Sequence, residues 1–150
     1  MLKALKSLFS NPGDHAEAGR VRLEHAIASL VFEITRMDFE VSPEEVPAAH
    51  AALTDLLGVS GVQAHELLAW AGQPANRLTS YHGAVAEINR ALPLEDRVKL
   101  VEHLWRIAHA DDDLHVYEDH LVRKLADLLY VPHIQSMLAR QRVRAQDEGA

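Results

Sequence analysis

Apolar side chains recur along this chain at three- and four-residue spacing, the signature of helices packed on a core. From 16 to 37, Val21, Leu23, Ile27, Leu30, Val31 and Ile34 keep to one broad face. A second helix is predicted over 43–57, with Val46, Leu53, Leu56 and Leu57, and it stops at Gly58, a residue suited to a left-handed cap. A short third follows over 62–71, ahead of Gly72 and Pro74, and a fourth over 78–92 is closed by Pro93. The fifth, 94–110, carries Val98, Leu100, Val101, Leu104, Trp105 and Ile107. The sixth, 116–130, carries Leu121, Val122, Leu125, Leu128 and Leu129. Pro132 precedes a last helix from 133 to about 143.

No stretch sustains alternation at period two, so the fold class predicted is all-α: a single-domain bundle of seven to eight helices. Its expected core is Leu30, Ile34, Leu56, Leu100, Leu104, Ile107, Leu125 and Leu128, with Trp70 and Trp105 as large anchors. The domain is expected over 15–146. Before it, 1–14 forms an amphipathic segment and a loop, with Leu2, Leu5, Leu8 and Phe9 opposite Lys3 and Lys6; after it, 147–150 is a tail. Pro47 is an anomaly in the second helix, because it deletes a backbone hydrogen bond.

Composition narrows the function classes. The 150 residues are 48% apolar and 25% charged, ordinary for a soluble domain. A net charge of −7 disfavours nucleic acid as a partner, since phosphate binding needs a basic face. The one basic cluster, Arg140, Arg142 and Arg144, reads as cations complementing the dipole of the last helix. Every apolar run is broken well short of the ~20 residues a membrane span needs. The N-terminus lacks the continuous apolar core and cleavage site of a signal peptide, so a cytoplasmic location is expected. The absence of cysteine excludes thiolate metal sites and thiol catalysis. Nucleophile elbows, phosphate-binding Gly loops and dinucleotide fingerprints are also missing.

Candidate chemistry sits at two acidic corners that read alike. In Ile34-Thr35-Arg36-Met37-Asp38-Phe39-Glu40 and Ile107-Ala108-His109-Ala110-Asp111-Asp112-Asp113, an apolar helical run meets an Asp and a second acid two residues on. Glu45 and Glu118 follow at matching distances. Downstream, Asp55-Leu56-Leu57-Gly58-Val59-Ser60 is answered by Asp127-Leu128-Leu129-Tyr130-Val131-Pro132, which makes an internal pseudo-repeat. Asp38, Glu40 and Glu45, and likewise Asp111, Asp113 and Glu118, could offer oxygens to a hard divalent cation such as Ca²⁺, Mg²⁺ or Mn²⁺. The competing reading is helix capping. Ser42-Pro43-Glu44-Glu45 is a capping box, and His115 with Glu118 imitates it. Neither corner has the twelve-residue spacing or central Gly of an EF-hand. His109, Asp111, Asp113 and His115 could instead hold a transition metal, as a metal-dependent enzyme would use.

At these corners the chain resembles the TerB-like family, named for tellurite-resistance proteins and also found as the N-terminal domain of membrane-anchored DnaJ-type co-chaperones. The resemblance rests on Asp38-Phe39-Glu40-Val41-Ser42-Pro43-Glu44-Glu45, on Ile88-Asn89 followed by Leu94-Glu95-Asp96-Arg97, and on Leu104 to Asp111 running into Leu114 to Glu118. It implies an all-helical fold with duplicated architecture, metal ions at the acidic corners and no established enzymatic activity. Family corners usually read Asp-Gly-x; Phe39 and Asp112 stand in the Gly places here, and Asp tolerates the left-handed region better than Phe does. The function expected is a non-enzymatic cytoplasmic binding module, divalent-metal-binding and linked to tellurite or metal stress, acting with a protein partner. The alternative is the metal-dependent enzyme.

Overall fold

The computed structural model describes residues 12–35, 45–110 and 116–148. Among them are seven α-helices, one 3-10 turn and no strand. The helices are α1 (Pro12–Thr35), α2 (Glu45–Leu57), α3 (Gly61–Gly72), α4 (His82–Ala91), α5 (Leu94–Ala108), α6 (Val116–Leu128) and α7 (His133–Glu148). The 3-10 turn Pro74–Asn76 joins α3 to the stretch before α4. α1 starts before the expected residue 16 because Pro12 suits a first helical turn, where its missing N–H is an orphan anyway.

The helices form two triads with α4 against the first. α1 packs on α2 and α3, α5 packs on α6 and α7, and α4 lies on α1. Contacts of α2 and α1 with α5 join the triads. The apolar stripes meet in one core in which Ile27, Leu30, Ile34, Leu53, Leu100, Leu104, Trp105, Ile107, Leu125 and Leu129 are closed to water. Six of the eight expected core residues are buried; Leu56 and Leu128 are only partly so, and their neighbours Leu57 and Leu129 point inward instead. Trp105 is a core anchor, its indole N–H donating to Ser136 Oγ at 3.2 Å. Trp70 is not: it lies half-exposed, stacked on His25 with ring centroids 3.7 Å apart.

The two Asp-Leu-Leu segments end their helices in one way. Gly58 and Tyr130 stand at matching positions, and both have left-handed backbone, φ 67° and 55°. Each helix end is held by an arginine from the first helix of its own triad: Arg20 donates to the Leu57 carbonyl, and Arg97 donates to that of Leu129 at 2.6 Å. The next helix then starts after Ser60 in one triad and after Pro132 in the other. Ser60 builds a capping box with Gln63, accepting from its amide at 3.1 Å and donating its own amide to the Gln63 side chain at 3.0 Å.

Candidate functional site

Both acidic corners join the first two helices of a triad, α1 to α2 and α5 to α6. Asp38 and Glu40 of the first lie outside the described residues, as do Asp111, Asp113 and His115 of the second. So do Ser42, Pro43 and Glu44 of the expected capping box. Glu45 opens α2. Among the described residues, no group of three or more His, Asp or Glu is placed to hold a metal ion.

Glu118 is the described acid that bears on the second corner. It sits in the first turn of α6 with 0% exposure. A carboxylate withdrawn from water needs a donor, a cation or a proton to match it.

Next to Glu118, Asp119 is matched by two arginines from α6 and α7. Arg123 Nε donates to Asp119 Oδ2 at 2.7 Å, and Arg140 lies 3.4 Å from Asp119 Oδ1. Their guanidinium carbons stand 6.0 and 5.0 Å from the Trp105 ring centre. Burial draws the Arg140 pKa below its ordinary value, and Asp119 opposes the shift. Arg140 Nε also donates to His109 Nε2 at 3.4 Å, which leaves the neutral ring's proton on Nδ1 and engages one of its two ligand positions. The basic cluster is therefore not a dipole cap. α7 continues to Glu148, beyond all three arginines, and Arg142 pairs with Glu102 at 2.5 Å.

A second polar knot, unforeseen in the sequence, ties the triads together. His103 is 6% exposed on α5. Arg106 can only donate, so its 3.1 Å contact makes His103 Nδ1 the acceptor and puts the proton on Nε2, which donates to Asp55 Oδ2 at 2.6 Å. That hydrogen bond is the main cause that lowers the Asp55 pKa, against a smaller effect of burial. Both ring nitrogens are occupied, which makes this pair a clamp between α2 and α5 rather than a proton-transfer site.

The family model described as tellurite resistance protein TerB matches residues 24–141, from within α1 to within α7. The chain belongs to the TerB family. Both acidic corners fall inside the matched span, as do the His103 clamp and the arginines around Trp105. A crystal structure of a protein of unknown function from Porphyromonas gingivalis W83 has a similar fold, with a TM-score of 0.60 at 21% identity. The likeness covers 82% of this chain and 88% of that one. No curated protein matches the sequence. Among the described residues, no helix is long and apolar enough to cross a membrane.

Proposed function

We propose that this TerB-family chain is a non-enzymatic binding module whose second acidic corner takes a hard divalent cation, Ca²⁺, Mg²⁺ or Mn²⁺. The observation that carries the reading is the complete burial of Glu118 in the first turn of α6, five residues after Asp113 in the sequence. A cation there would be held by Asp111, Asp113 and Glu118 and would supply positive charge to a cluster of acids. It would also fix the approach of α6 to α5, so that occupancy could be read by a protein partner on the outer face. Val116 and Tyr117, 68% and 72% exposed beside Glu118, place apolar surface where such a partner would sense the corner. Asp38, Glu40 and Glu45 are the matching set in the first triad. The family description, tellurite resistance, supports tellurite stress as the setting. Engagement of His109 by Arg140 counts against a catalytic metal held by His109, Asp111, Asp113 and His115.

Thermal unfolding of the full chain in chelator and in each ion tests the reading. Ion at ~100 times its Kd should add about 2.7 kcal/mol, a rise of several degrees for a domain of this size. Asp111→Asn with Asp113→Asn should abolish the rise. Glu118→Gln separates the two roles of that residue, because glutamine can still accept a hydrogen bond as a cap but is a poor ligand for a hard ion. Identical melting with and without ions would leave capping as the whole role of the corner.

A further inference from the structure

The first triad holds a pair of imidazoles that neither the acidic corners nor the family match explains. His50 on α2 and His65 on α3 face each other across the helical hairpin that turns at Gly58 and Ser60, with ring centroids 5.8 Å apart and planes tilted by 51°. Both line one cavity of about 210 Å³, whose other walls include Phe32, Val46 and Leu68. We propose that His50 and His65 form a two-imidazole site for a borderline d-block cation, Zn²⁺, Ni²⁺ or Cu²⁺, whose remaining ligands are solvent waters on the side where His65 is exposed.

Geometry and donor type support this assignment. With metal–nitrogen bonds of about 2.0–2.1 Å and a tetrahedral angle, two imidazoles sharing an ion have centroids roughly 5 to 5.5 Å apart. The observed 5.8 Å lies a few tenths of an ångström above that range. The two side chains come from helices packed on each other, so their approach is set by the fold. Nitrogen donors beside an apolar wall favour borderline ions over Ca²⁺ and Mg²⁺, which demand oxygen. The positions 72 or 73 residues further on hold no such pair: Val122 and Arg123 stand on α6 and Met137 on α7. The site is thus separate from the hard-ion site proposed above, and each can fail without the other.

Calorimetric titration of the chelator-treated full chain with ZnCl₂ tests it, alongside electron paramagnetic resonance of the Cu²⁺-loaded protein. His65 is exposed and His50 half-buried, so His50→Gln and His65→Gln should fold as the parent does, which circular dichroism checks. Expected are one zinc per chain, a loss of affinity of about tenfold or more in either variant, and two nitrogen ligands in the copper spectrum. Ligation needs neutral imidazoles, so binding should weaken as pH falls and should release protons. Asp111→Asn with Asp113→Asn should leave zinc binding intact. The histidine variants should leave the Ca²⁺, Mg²⁺ or Mn²⁺ response unchanged. Zinc affinity equal to the parent's in both histidine variants would overturn the proposal. So would an absence of zinc heat, or a copper spectrum with fewer than two nitrogens.

Discussion

At Gly58 and Tyr130 one backbone conformation is met by two side chains, and the consequences have opposite sign. A Cβ on Gly58 would meet nothing within 4 Å, so Gly58→Ala isolates the cost of left-handed backbone for an L-residue. That cost is about 1 kcal/mol. Tyr130 already bears it, and its side chain is 75% exposed, so little packing is lost when it is removed. Tyr130→Gly should therefore stabilise slightly, by up to about 0.5 kcal/mol after glycine's extra unfolded-state entropy is counted. Denaturant melts of the two variants should move in opposite directions from the parent; destabilisation by both would mean that Tyr130 makes contacts worth more than its strain. The sequence shows these two positions to be equivalent, yet it does not show that tyrosine adopts the glycine conformation. The same limit explains Leu56 and Leu128. Where two leucines end a helix, periodicity cannot tell which of them turns inward, and the final turn points Leu57 and Leu129 to the core.

Between elements, the Asp55–His103–Arg106 clamp makes a pH-dependent link. The folded-state pKa of Asp55 lies below the ordinary Asp value, so its contribution is fully present above about pH 4 and is lost as pH falls through the lowered pKa. Asp55→Asn keeps an oxygen to accept from His103 but removes the charge. The parent should melt higher than this variant at neutral pH, and the gap should close in acid. The effect should be modest, since the Asp55 side chain is 65% exposed. Melting temperatures collected from neutral pH down to about pH 3 would show it, and a gap that persisted in acid would rule out the charge as its source. No sequence pattern joins Asp55 to a histidine 48 residues away; only packing of α2 on α5 does. By contrast, the Ser60-Gly61-Val62-Gln63 capping box was written in plain spacing. Helix α4 begins at His82 rather than 78 because the chain between the 3-10 turn and Tyr81 is irregular, although Leu78 falls at helical spacing.

Over the whole molecule, the apolar stripes specify the bundle well because each recurs at helical spacing, and the family match spans them from residue 24 to 141. The arginines around Trp105 were harder to read. Their partner Asp119 belongs to another helix from Arg140, and nothing local to residues 140–144 distinguishes a packed guanidinium from a solvated one. Trp105 has a further consequence. The chain contains two tryptophans, and each belongs to a different triad: Trp70 on α3 and Trp105 on α5. Replacing either by phenylalanine leaves an intrinsic fluorophore that reports on one triad alone. With α1 and α2 both packed on α5, and Asp55 clamped to His103, the triads should lose structure together. In each single-tryptophan variant, the fluorescence and far-ultraviolet dichroism transitions should then coincide, as two-state unfolding requires. Fluorescence that led or lagged the dichroism would reveal two cooperative units, and the wavelength of emission would say which triad had opened first.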